Sequence, residues 1–208
     1  MDFALDETQQ AVAAAAAHVL DHSPPPSTPA GEDTDDRALW KELGQAGLLG
    51  LALPGWLGGD GLGVMGTAVL LTEAGRRAAP VPALTTAHVG TRTQFGRPLA
   101  AFQAVAQRIA DVHIVSRTLH LAALSACWRL DTGRDAGGDL DVAAYWLAGQ
   151  APAALRACHH LHGGTGMDVS YPLHRYSALV KDLARLAGGA DYRLGRLGTR
   201  VGEPCSAT

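Results

Sequence analysis

The stretch TRTQFGRPLAAFQAVAQRIADVHIVSRTLHLAALSACWRL, residues 91–130, decides the fold. Beyond Pro98 its apolar residues recur three and four positions apart, and no alternating pattern interrupts them. That period lines one face of a helix, and here it predicts an unusually long helix reaching about residue 130. The same period recurs on both sides. Upstream, a first helix is expected over residues 7 to about 22, with Asp6 as its N-cap. Residues 23–33, SPPPSTPAGED, read as a loop, since three prolines remove backbone donors and fix φ. Asp35 or Asp36 can cap a second helix ending near Gly47. A glycine-rich connection holding Trp56 follows, then a third helix from about Val64 to Arg77 that Pro80 and Pro82 prevent from continuing.

Downstream, residues 131–138 form a turn, and Asp139 or Asp141 caps a helix to about His162. Pro172 starts another, ending at Gly188-Gly189, and a short last helix carries Tyr192 to Arg200. The fold class is all-α, a small N-terminal helical unit and a C-terminal helical bundle. The boundaries fall at residues 1–84, a junction over 85–98 containing TRTQFGRP, and 99–208.

The chain has 208 residues, 47% of them hydrophobic and 18% charged, with a net charge of −3. This is an ordinary globular profile with no basic excess for a phosphate backbone, so nucleic acid is not an expected partner. The first residues carry acids rather than a basic leader, and the apolar run at Ala13–Ala17 is broken by His18. Neither a signal peptide nor a membrane span is expected, and the reading is a bacterial, cytoplasmic protein. Cys127, Cys158 and Cys205 lack metal spacing, and the first two sit in apolar helical runs as core thiols.

Two separated regions resemble the ends of acyl-CoA dehydrogenases. MDFALDETQQ, LWKELGQAGLLGLALPGWLGGDGLG and LTEAGRRAAPVPAL resemble the front; TRTQFGRPLAAFQAVAQRIAD and HHLHGGTGMDVSYPLHRY resemble the back. In that family a β-barrel domain and a helix lie between them, whereas only residues 85–90 do here. The resemblance therefore implies the family's helical domains without the β-barrel that holds the flavin ring. It also implies that Arg92, Gln94 and Phe95, with His160, Gly163 and Gly164, stand where the family reaches the FAD of a neighbouring subunit. A planar guanidinium suits a pyrophosphate, a Phe can cover an aromatic ring, and glycines admit a phosphate to backbone N–H groups. The family commonly has Gln where His160 stands.

The base of a dehydrogenase is not matched. Many members place a Glu in the loop corresponding to residues 186–190, which here reads LAGGA, and others carry it on the helix before TRTQFG. Asp191 is the nearest acid. For non-redox chemistry the polar candidates are His162, Asp168 and Tyr171. His159, His160 and His162 lie too close in sequence to gather on one helical face, and no metal is expected. His113 and His120, seven apart, share a face of the long helix.

Three functions follow. The one placed first for the isolated chain is a repurposed enzyme performing isomerisation, dehydration or cyclisation on an acyl or polyketide-like substrate. The second is a flavoprotein subunit that completes the FAD site of a full-length acyl-CoA dehydrogenase. The third is a non-catalytic interaction protein. No cofactor is expected for the chain alone, and FAD only with a partner. A homo- or hetero-oligomer is expected, because a missing domain should bare apolar faces of the long helix such as Val105, Ile109, Val112, Leu119 and Leu121 to Leu124.

Overall fold

The computed structural model describes residues 4–22, 37–78 and 81–202. The expected loop over 23–33, the caps Asp35 and Asp36, Pro80 and Cys205 lie outside them. The described residues form helices α1 (Glu7–His22), α2 (Arg37–Gln45), α3 (Gly63–Ala78), α4 (Val81–Thr91), α5 (Gln103–Asp131), α6 (Gly137–Tyr145), α7 (Ala151–His162), α8 (Leu173–Leu186) and α9 (Ala190–Gly202). A hairpin of two short antiparallel strands, β1 (Thr93–Gln94) and β2 (Arg97–Pro98), lies inside the TRTQFGRP motif. The fold is all-α. Among the described residues no helix is long and apolar enough to cross a membrane.

The chain divides into two compact units, Met1–Pro80 with Cys127–Arg134, and Val81–Ala126 with Asp135–Thr208. In the first, α1 packs on α2 and α3 around Val12, Ala16, Leu48, Leu51 and Val69. Asp6 caps α1 as its sequence position implies: its carboxylate accepts from Gln9 N–H at 2.8 Å, and the Gln9 amide oxygen accepts from Asp6 N–H at 3.2 Å. This reciprocal pair satisfies two of the orphan donors at the helix start. Gly63 opens α3 at φ 62, and a Cβ there would strike the Asp131 carboxylate, which accepts from Met65 N–H at 3.4 Å. Glycine is thus needed twice at that position, for its φ and for its size.

In the second unit α4 packs on α7, α7 on α8, and α6 on α9. Helix α4 runs from the end of the expected N-terminal unit into the expected junction, residues 81–91 against the boundary at 84/85. Pro82 stands at its second position, where a missing N–H costs no hydrogen bond. Thr85 and Thr86 turn their hydroxyls back to the Val81 and Pro82 carbonyls at 2.8 Å each. Val81, Thr85 and Val89 then form a buried stripe. The helix is set by this burial rather than by propensity, since its threonines, valines and glycine are poor helix formers.

The long helix begins at Gln103, after a 3₁₀ turn over Leu99–Ala101, and ends at Asp131. Of the faces expected to be bare, Val112 is buried, and Val105, Ile109, Leu119, Leu121 and Leu124 are half-buried. Ile114 and Leu130 of α5 are exposed, and on α8 the exposed Leu179, Leu183 and Leu186 share one face.

The expected single helix up to His162 is two helices joined by a π-helical turn, Trp146–Gln150. Its start is held by Asp135, whose carboxylate accepts from Gly137 N–H at 2.9 Å, and neither Asp139 nor Asp141 caps it. Asp139 accepts from the Ser125 hydroxyl at 2.5 Å. Asp141 is buried at 1% exposure, and Arg193, Arg196 and Arg200 of α9 converge on it at 2.9, 2.9 and 3.1 Å. Burial alone would push its carboxyl up, but the three guanidiniums outweigh that and hold it below the usual carboxylate value.

Candidate functional site

Two segments singled out by the sequence come together at one end of the second unit. Helix α4 leads into the hairpin, and α7 leads into a 3₁₀ turn over Gly163–Met167. Near the end of each helix a histidine faces the other: His88 and His162 stack with ring centroids 4.4 Å apart. The stack brings the residues leading to Arg92 beside those leading to Gly163.

At the hairpin, Leu99 N–H donates to the Arg92 carbonyl at 2.8 Å and closes its base. Its turn is Phe95-Gly96, with φ 51 and 75. A bulky residue at positive φ costs about 1 kcal/mol or more. Phe95 nonetheless takes it and holds its ring 92% exposed. Among the described residues the ring meets the edge of Phe102 at 6.3 Å, while Arg97 covers the Phe102 face at 4.0 Å. Arg92 and Gln94 are exposed. Neither side chain makes a hydrogen bond or ion pair among the described residues.

Across the stack, His160 is exposed and α7 ends at Gly163, φ 57 and ψ −133. A Cβ placed on Gly163 or Gly164 would meet nothing of this chain within 4 Å, so both face open space. The six residues assigned by resemblance to FAD contact therefore fit the outward half of such a site: unpartnered donors, a free ring and accessible backbone. Residues that would hold the flavin ring are not among them.

The loop 186–190 turns through Gly188 and Gly189, φ 84 and 86, and the carbonyl of Ala187 is held by Arg193. No acid enters it, and Asp191 lies exposed in the first turn of α9. Helix α4, which precedes TRTQFG, carries no Asp or Glu either.

Of the acid–base candidates, His162 and Tyr171 meet and Asp168 does not join them. His162 is buried at 4% exposure; its Nδ1–H donates to the Cys158 carbonyl at 2.8 Å, leaving Nε2 to accept from the Tyr171 hydroxyl at 3.0 Å. Burial pushes the Tyr171 phenol above its ordinary value. Asp168 accepts from the hydroxyl of Ser170 at 2.7 Å and its N–H at 2.8 Å, which hold it below the ordinary carboxylate value. It builds a turn.

His159 is committed on both nitrogens, to the Gly166 carbonyl at 3.0 Å and the Ser177 hydroxyl at 2.6 Å, and cannot join His160 and His162 on an ion. His113 bonds the Thr86 hydroxyl at 3.0 Å. Cys158 is buried and its thiol pushed up by burial. His88 was not identified from the sequence, because its helix was not.

A separate cleft of about 330 Å³ in this unit lies between α5 and α7, lined by Arg108, Asp111, Trp146 and Gln150 over Ala153 and Ala157. Neither His162 nor Tyr171 borders it.

The chain is all-α in two helical units, with outward-facing residues at the TRTQFGRP and HLHGGTG segments. Residues 6–110 match the acyl-CoA dehydrogenase N-terminal domain and residues 65–201 the C-terminal domain, so the chain belongs to the acyl-CoA dehydrogenase family. It is 54% identical over 125 residues to the acyl-CoA dehydrogenase FadE28 of Mycobacterium tuberculosis, covering 60% of this chain and 36% of that one. FadE27 of the same organism is 34% identical over 128 residues, covering 58% and 34%. The matches thus span about a third of the length of these relatives.

Among solved structures, the ChsE4–ChsE5 complex from Mycobacterium tuberculosis superposes with a TM-score of 0.88 at 20% identity, covering 99% of this chain and 100% of the other. The Tcur3481–Tcur3483 steroid acyl-CoA dehydrogenase, in a G363A variant, gives 0.86 at 20% identity, covering 97% and 99%.

Proposed function

We propose that this chain is a subunit that supplies the outward half of a FAD site to a full-length acyl-CoA dehydrogenase partner, rather than an autonomous enzyme. The observation that carries this reading is Phe95. A strained, 92%-exposed aromatic ring beside two unpartnered polar side chains gains little in its own fold beyond one edge contact with Phe102. A partner-borne cofactor would give all three something to touch. Two structures of similar fold are two-component complexes, which supports a hetero-oligomer. The exposed leucine face of α8 is further surface that such an assembly could cover.

In this reading Arg92 brings its planar fork to the pyrophosphate, Gln94 offers amide donors and Phe95 covers an aromatic ring of the nucleotide. The Gly163-Gly164 segment gives backbone N–H groups a close approach to phosphate. FAD, if held there, would supply the acceptor for a hydride leaving the β-carbon of an acyl thioester. The proton at the α-carbon needs a base, and the partner would provide it. The expected result is that the chain purified alone is colourless and does not convert acyl-CoA thioesters to enoyl-CoA. Stoichiometric flavin absorbance in the isolated chain, with reduction of an electron acceptor, would overturn the assignment.

The second reading, a repurposed non-redox enzyme on an acyl or polyketide-like substrate, rests on the His162–Tyr171 pair. Its neutral imidazole accepts from a phenol and could move a proton. The cleft described above does not reach that pair, so the subunit reading is preferred.

A further inference from the structure

Beside the buried stripe of Val81, Thr85 and Val89, a ring stack between α4 and α7 joins the two segments assigned to FAD at their adjoining ends. His162 is fixed on its two nitrogens by the Cys158 carbonyl and the Tyr171 hydroxyl. His88 has no side-chain hydrogen bond among the described residues, and is held by its face against His162 at 4.4 Å and an interplanar angle of 25°. Arg92 follows one turn on, its N–H donating to the His88 carbonyl at 2.9 Å. The His88 ring thus sits one helical turn before Arg92 and the start of the hairpin.

The charges around His88 are all of one kind. His162 faces it from α7, and Arg92 stands just past the end of α4. Elsewhere around α4, His113 of α5 is turned to Thr86, Arg97 of the hairpin lies over Phe102, and Tyr171 reaches the far nitrogen of His162. None of these groups is an acid that would welcome an imidazolium. Burial, then His162, then Arg92 hold His88 below the ordinary imidazole value of 6.5.

We propose that His88 is a positioning residue for the FAD-facing end of the second unit: uncharged, it locks the Arg92 hairpin to the Gly163-Gly164 turn through its stack on His162, and in acid it releases them. The proposal gives the subunit reading a regulation of the same site and rests on that reading only for its consequence in a complex. The sign follows from linkage. A base whose folded value is depressed binds a proton more readily once the contact opens. The lock is complete above 6.5 and weakens as pH falls below it. Opening of the two segments should rise by up to about tenfold per pH unit in that window.

The test is amide hydrogen exchange of the purified full chain, corrected for intrinsic rates, at about pH 7.5 and about pH 5.5. It needs neither FAD nor partner, so it can fail or succeed independently of the subunit assignment. Protection over residues 88–102 and 160–171 should fall together in acid, while α1 and α3 keep theirs. His88→Phe keeps a stacking ring without a titrating nitrogen and should keep protection at both pH values. His88→Arg carries a permanent charge and should show the acid pattern at both. An acid response in His88→Phe equal to that of the parent chain would overturn the proposal, as would full protection in His88→Arg. Should His88→Phe fold poorly, histidine NMR of the parent chain decides. A His88 titration midpoint at or above 6.5, or one unrelated to the loss of protection, refutes the lock.

Discussion

Arg92→Ala lowers FAD retention in the assembled complex by roughly tenfold to a hundredfold, the loss of a charge-assisted bond of about 1.5–3 kcal/mol. The expectation follows from where Arg92 stands. Its guanidinium is exposed and makes no ion pair among the described residues, so its removal costs this chain little. The melting temperature of the isolated protein should therefore stay put while the complex sheds flavin. Arg92→Lys keeps the charge and loses the planar fork, and should fall between the parent and the alanine variant. The measurement is flavin content and melting temperature of both variants with the partner. Unchanged flavin in a stable complex would remove Arg92 from the site and with it the strongest polar contact of the proposed half-site.

Asp141→Ala should be the most destabilising single change in the second unit. Three guanidiniums from one face of α9 end on this one buried carboxylate, and α9 packs against α6 through it. Removing one partner of a buried ionic group strands the others. Here the arginines are 22–44% exposed at the side chain and can turn to water, which places the cost at the lower end, about 2–4 kcal/mol. That corresponds to a fall of roughly 5–15 °C in melting temperature for a chain of this size. Asp141→Asn keeps an acceptor and loses the charge, and should fall in between. Because the carboxyl is held below its ordinary value of 3.8, its contribution is present above that pH and declines as pH falls further. A melting temperature within a degree or two of the parent's would show that α9 is held by its apolar contacts instead.

The sequence reveals those features that local chemistry specifies. Asp6 caps α1 because an Asx side chain with Gln three residues later satisfies helix-start donors without outside help. The long α5 follows from its apolar period, and α8 begins directly after Pro172. The features that escape depend on distant partners. Asp141 has the position and residue type of a helix cap, and only arginines more than fifty residues away make it a buried anchor. Helix α4 contains a proline, three threonines and a glycine, which read locally as a break, and its stability comes from burial in the second unit. With α4 unread, His88 had no place in the site.

The residues assigned to FAD contact by resemblance form a different case. Arg92, Gln94, Phe95, His160, Gly163 and Gly164 were legible only through resemblance to acyl-CoA dehydrogenases, since nothing in their spacing implies a shared site. The structure adds what spacing could not: a hairpin tip with a strained, outward Phe95, and a histidine stack that sets the two segments together. The acid–base candidates read from the sequence separate for a local reason. Asp168 finds the Ser170 N–H and hydroxyl two residues on, a nearer and cheaper partner than His162.

The central claim is that this chain completes a flavin site it does not own. Co-expression with each full-length acyl-CoA dehydrogenase of its own genome, followed by light scattering and flavin absorbance across the eluted peaks, tests it most directly. The account predicts one partner with which the chain co-elutes in a yellow complex that oxidises an acyl-CoA thioester, while the chain alone is colourless. A chain that binds FAD stoichiometrically by itself, or a partner whose flavin content and activity are the same with and without this chain, would contradict it.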